Sequence, residues 1–220
     1  MPITDKFALI VLVGALGAQI LYRRSLCVST GWIKKFFAKF LFSSVVKFLW
    51  VASFTFIISV LSYWSWLQYE VWKTSPVMKY ALPPHQGLYY FFSYVGVRFL
   101  GPWVLAFLAA LLVSRLAKKL NKRFEDRFFE SEEIELMTLG IFLTGYPGFF
   151  IYLILILGVG SLVSVVYTLF SKGRMPFYYL WIPLALSAII IENWLIPKLG
   201  FADILGAFSL GDFVKDFFGF

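Results

Sequence analysis

The sequence predicts an all-α fold, a polytopic bundle of transmembrane helices, on three observations. Of its 220 residues, 60% are hydrophobic and 15% are charged, against about a quarter charged in a soluble domain. Several apolar runs reach the roughly 17–25 residues that a helix needs to cross a hydrocarbon core. The basic residues gather in blocks beside those runs: Arg23, Arg24, Lys34, Lys35, Lys39 and Lys47 in one, Arg115, Lys118, Lys119, Lys122, Arg123 and Arg127 in another. In a soluble chain with a net charge of +8 such blocks would point to nucleic acid. Flanking apolar spans, they point instead to cytoplasmic loops and to contact with anionic lipid head groups. No nucleic-acid partner is expected. Little sequence remains between the runs, so residues 1–198 are read as one transmembrane domain and 199–220 as an amphipathic tail.

The first span is expected over residues 7–22, uncleaved and with the N-terminus outside, because Arg23-Arg24 follow it as a stop-transfer signal. In Trp32–Lys47, Lys35, Lys39, Ser43 and Lys47 recur every fourth residue and make one polar stripe on a helix. This segment is either an interfacial amphipathic helix, its lysines on lipid head groups, or the start of the next span. That span is placed at 48–67, with Trp64, Trp66, Tyr69 and Trp72 as an aromatic belt at its outer end. The connection Tyr69–Gly87 is broken by Pro76, Pro83 and Pro84 and carries His85 as a loop residue.

The third span is expected over 88–114, with Tyr89, Tyr90 and Tyr94 at its outer end. Arg98 lies inside it, where a charge is costly. Pro102 has no N–H to give the Arg98 carbonyl, so a kink is expected beside Gly101. Arg98 either snorkels to the head groups or pairs with an acid or an anion. Half of the chain's acids lie between Glu125 and Glu135. They suit the start of the following helix, with Ser131 as N-cap.

Read without a break, Leu136–Phe170 would be roughly 50 Å long at 1.5 Å per residue, too long for a core of about 30 Å. Tyr146-Pro147-Gly148 is the natural turn, with Pro147 and Gly148 as the helix break. Spans at 131–145, 149–170 and 177–195 follow, giving six in all, with five as the alternative. The two topologies place the same number of basic residues inside, so length and the Pro-Gly pair decide. Basic loops are expected in the cytoplasm, in the cell or inner membrane. With six spans, Glu192 reaches the outer half of the bundle and becomes a partner for Arg98.

Chemistry-bearing motifs are few. Cys27 and His85 are the sole cysteine and histidine, so no zinc site is expected, and no cofactor is. Gly158-Val-Gly160-Ser161-Leu162 is similar to the serine motif of rhomboid proteases, but lacks its closing glycine and has no histidine base in a span. Its glycines are expected to mark close helix packing. No paired carboxylates are expected within the spans.

The run Glu133-Ile-Glu-Leu-Met-Thr-Leu-Gly-Ile-Phe-Leu-Thr-Gly-Tyr-Pro-Gly148 resembles the segment after the catalytic Gly-x-Gly-Asp of type IV prepilin peptidases. There too an apolar run with Leu-Gly leads through an aromatic-Pro-Gly turn to a long return span, a basic loop and a proline-led last span. The resemblance covers about residues 132–195. Where that family has Gly-x-Gly-Asp, this chain has Ser131-Glu132-Glu133. The resemblance therefore implies a degenerate, non-peptidase relative. The reading favoured is a non-catalytic assembly or accessory component of a membrane, with other membrane proteins as partners. The alternatives are a small transporter or channel using Arg98 and the break at Pro147, and a membrane peptidase or lipid-handling enzyme.

Overall fold

A computed structural model describes residues 1–28, 32–85, 87–124, 129–170 and 177–198, with no strand among them. Helices α1 (Ile3–Val28) and α2 (Trp32–Thr74) pack antiparallel. Phe7 stacks on Phe56 at 3.8 Å near one end, and Tyr22 stacks on Phe42 at 4.5 Å near the other. α2 has 43 residues, about 64 Å of helix. It passes through the expected boundary at Lys47 and Phe48 without interruption, so Trp32–Lys47 is not a separate element. The side chains of Lys35 and Lys39 lie outside the described set, and Lys47 is exposed.

α3 (Tyr89–Val95) and α4 (Gly101–Arg123) join through one widened turn, Gly96–Leu100. Pro102 cannot donate to the Arg98 carbonyl, and the ladder adjusts upstream. The Gly101 N–H donates to the Gly96 carbonyl, five residues back, as in a π-bulge. The kink expected beside Gly101 is thus absorbed as a bulge, and Tyr89–Arg123 remains one continuous helix.

The long apolar stretch is divided as its Pro-Gly pair predicts. α5 (Ser131–Thr144) ends three residues before Pro147, and α6 (Gly148–Leu155) begins one residue after it. α6 continues through the widened turn Ile156–Gly160 into α7 (Ser161–Phe170). α8 (Trp181–Ile190) likewise leads through Ile191–Leu195 into α9 (Ile196–Lys198). A Cβ added at Gly158 would meet nothing within 4 Å. Close packing, the role expected of this glycine, is therefore not what it provides.

α5 is the axis of the bundle. It touches α1, α2, α4, α6 and α8, and Leu136, Leu139 and Ile141 are wholly buried. Phe142, 2% exposed, sits in an aromatic cage. Trp50 stacks on it at 5.0 Å, Phe54 lies at 6.3 Å, and Trp103 and Phe107 approach edge-on at 5.9 and 6.1 Å. On the opposite flank Gly140 admits Tyr152, whose hydroxyl would be 2.8 Å from a Cβ there. That hydroxyl donates to the Trp181 carbonyl at 3.1 Å, which ties α6 to the start of α8.

Both ends of α5 are held by specific groups. At its start a capping box forms: the Glu130 side chain accepts an N–H from the first turn, and the Glu133 carboxylate accepts the Glu130 N–H at 3.1 Å. Glu130, not Ser131, is the N-cap. The reciprocal arrangement takes up two donors that a helix start leaves open. Upstream, the buried side chain of Asn121 bonds both the N–H and the carbonyl of Phe129, fastening the end of α4 to the approach of α5.

Four helical segments are long and apolar enough to cross a membrane: Ile3–Tyr22, Phe40–Thr74, Tyr89–Arg123 and Gly148–Tyr167. α5, with 14 residues, is about 21 Å long, short of a core of about 30 Å. Lys172, Arg174 and the tail 199–220 lie outside the described residues.

Replacing Phe142 with Ala empties the centre of the aromatic cage. The expected loss is about 3–5 kcal/mol, read as a lower melting temperature of the detergent-solubilised chain. Phe142→Leu, which keeps most of the volume, is expected to cost less than half as much.

Candidate functional site at the Gly145–Gly148 turn

The turn between α5 and α6 holds the most unusual local chemistry. Gly145 has φ +65°, a region that side-chain-bearing residues rarely enter, and the Trp103 indole covers it at 3.5 Å from where a Cβ would stand. Thr144 directs its hydroxyl back to the Gly140 and Ile141 carbonyls, at 3.0 Å each. The Phe149 N–H closes the turn on the Gly145 carbonyl at 2.7 Å. Gly148 then lets the end of α8 approach closely: a methyl at this position would overlap the Glu192 carboxylate.

Glu192 and Asn193 lie on the widened turn Ile191–Leu195. Pro197 explains the widening, since it offers no N–H to the Asn193 carbonyl. Asn193 donates through Nδ2 to Asp5 Oδ2 at 2.7 Å and to the Ile189 carbonyl at 3.1 Å. The buried Thr4 donates to Asp5 Oδ1 at 3.2 Å. Asp5 is close enough for its charge to act on Glu192. Asp5, held by Asn193, and Glu192 therefore come near one another beside the Pro-Gly turn. Sequence reasoning expected no such pair, because Asp5 falls in the polar segment before the first predicted span. Its helix starts at Ile3, and that places Asp5 within the bundle.

Arg98 and Glu192, the partners expected from a six-span count, are not brought together. Arg98 is exposed and donates through Nη1 to the Tyr94 hydroxyl at 2.7 Å, its Cζ 5.6 Å from the Tyr94 ring. Glu192 is half-buried against Gly148. An arginine on an i,i+4 row reaches its own helix neighbour before it reaches another helix, and Tyr94 supplies the acceptor.

The acids at the start of α5 form a second group. Glu132 and Glu133 are buried and Glu135 is half-buried. Lys47 of α2 and Lys118 of α4 both act on the charge of Glu135. Lys47 and Lys118 therefore come near the same end of α5, opposite the Gly145–Gly148 turn. Ser161 is exposed and donates to the carbonyls of Leu157 and Gly158 in its own helix. His85 is exposed and packs on the Tyr80 ring at 4.9 Å. Among the described residues no three His, Cys, Asp or Glu side chains gather as metal ligands would.

The four apolar helices and the bundle around α5 define a helical membrane protein. No family model, curated protein or solved structure matches the chain.

Gly148→Ala is expected to displace the Glu192 carboxylate and lower stability, and the same substitution in a Glu192→Ala background is expected to cost less. A double-mutant cycle on melting temperature checks this. The expected coupling is about 1–2 kcal/mol, within the range for residues in contact.

Proposed function

We propose that the chain is a non-catalytic assembly or accessory component of a cell or inner membrane, with six crossings, the basic ends cytoplasmic and the N-terminus outside. The observation that carries this reading is the assignment of the polar side chains. Glu130 and Glu133 cap a helix, Asn121 fastens Phe129, Gln19 donates to the Tyr178 carbonyl and Arg98 to Tyr94. Aromatic side chains, not polar ones, surround the axis helix at Phe142. Wide apolar faces stay exposed on α1, α2, α4 and α7, for example Ile10, Val51, Leu112 and Leu169, and these suit lipid or a neighbouring membrane protein.

Orientation follows from charge. Lys47 and Lys118 converge on one end of α5, and a basic end is retained in the cytoplasm. In this frame α5 and α8 cross as shorter helices shielded by the four long ones, and the lysine stripe of Trp32–Lys47 lies at the inner head-group layer. The departure from Gly-x-Gly-Asp at Ser131-Glu132-Glu133 fits a degenerate relative of the prepilin peptidases.

A small transporter or channel is the second reading, favoured by one observation: Asn193 bonds Asp5, with Glu192 nearby, beside a helix break, and interrupted helices often line ion sites in transporters.

Proteoliposomes separate the two. The accessory reading predicts proton and sodium fluxes equal to those of empty liposomes, in wild type and in Glu192→Gln. A flux that Glu192→Gln abolishes would establish transport instead. Cleavage of an apolar leader peptide that disappears in Glu132→Gln would establish a peptidase.

A further inference from the structure

The register of α2 against the α3–α4 helix fixes the depth of Arg98. Phe91 packs edge-on against Tyr69 at 5.5 Å and Trp72 at 5.3 Å, and Phe99 packs against Trp64 at 6.2 Å. The two helices are thus antiparallel, and Arg98 stands between the levels of Trp64 and Tyr69. These levels belong to a continuous aromatic layer. Trp72 also meets Tyr90 at 5.8 Å and Tyr94 at 5.1 Å, and Trp72, Leu82, Phe91 and Val95 form a small core of their own. Aromatic layers of this kind mark the head-group region of a bilayer. That level suits an interfacial Arg98 better than the costly depth that its place in the sequence implies.

Its surroundings face outward. Leu100, Val104, Leu105 and Leu108 are exposed along the helix on the side toward the bilayer centre, and Tyr90 is exposed toward the aromatic end. The guanidinium lies back over the preceding turn onto Tyr94, and Tyr94 is itself held by Trp72. An arginine carries five N–H donors, and the hydrogen bond to Tyr94 uses one. No carboxylate pairs with Arg98 among the described residues.

We propose that Arg98 and Tyr94 form a binding site for the phosphate of a membrane lipid in the leaflet at the aromatic end of the bundle. Charge and shape select the occupant. A planar guanidinium takes two phosphate oxygens at once, and its orientation is already fixed by Tyr94. The exposed leucines and valine below it receive the acyl chains, so the ligand is a phospholipid and not free phosphate. Arg98 supplies the charge, and Tyr94 is a positioning residue. This site lies at the opposite end of the bundle from Lys47 and Lys118.

Native mass spectrometry of the full chain in detergent tests the site, with three lipids titrated separately: phosphatidylglycerol, phosphatidylcholine and the phosphate-free monogalactosyl diacylglycerol. Arg98→Gln is expected to weaken both phospholipids about tenfold and to leave the galactolipid unchanged, as the loss of a charge-assisted bidentate pair requires. Arg98→Lys is expected to fall between, and Tyr94→Phe to weaken both phospholipids about threefold through the lost orienting bond. Unchanged phospholipid binding in Arg98→Gln overturns the proposal. So does an equal loss of the galactolipid, which would show recognition of lipid shape. If Arg98→Gln lowers the melting temperature, Tyr94→Phe decides, since it keeps the charge: wild-type phospholipid binding there overturns the site.

Discussion

The constraint on which the rest depends is the enclosure of α5. Its 14 residues are wrapped by α1, α2, α4, α6 and α8, so the backbone groups at its ends are met mainly by protein. Buried backbone donors and acceptors cost several kcal/mol each unless protein satisfies them. Every special feature around α5 answers that demand. The Glu130–Glu133 box and the Asn121 clasp serve its start, and Thr144, Phe149 and the Trp103 cover serve its end.

Enclosure also dictates where small residues fall. Gly140 lets Tyr152 of α6 lie against α5, and Gly148 lets Glu192 come in close beside the turn, so that α8 packs on one side. Phe142 fills the other side with four aromatic neighbours. Packing of this kind holds membrane helices together where the hydrophobic effect between them is weak. The three widened turns lie in the helices around α5. Two of them have a proline just downstream, Pro102 and Pro197, so they are consequences of missing N–H groups.

The helices were legible in the sequence because apolar length and Pro-Gly pairs act locally. The division at Tyr146-Pro147-Gly148 was found within one or two residues for that reason. The aromatic cluster was legible too, since Trp64, Tyr69, Trp72, Tyr90 and Tyr94 fall at matching helix ends. What escaped were contacts between residues far apart in sequence. Asp5 with Asn193 joins the first and last helices, and no local pattern announces it. Nor does spacing announce that Asn121 holds Phe129. Arg98–Glu192 was inferred from depth alone, and it failed because depth does not fix which face of a helix a side chain takes. Of the two readings of Trp32–Lys47, the structure has the one in which it runs on into the second span as one helix, because a lysine stripe does not interrupt a helix.

The most direct measurement is the sidedness of the two ends of the α6–α7 helix. In a Cys27→Ser background, Tyr146→Cys and Lys172→Cys are each exposed to a membrane-impermeant maleimide on intact cells. A hairpin that returns across the bilayer predicts labelling of residue 146 without permeabilisation and of residue 172 only after it. Labelling of both from the same side would show that Gly148–Phe170 does not cross. The enclosed-axis account would then be contradicted.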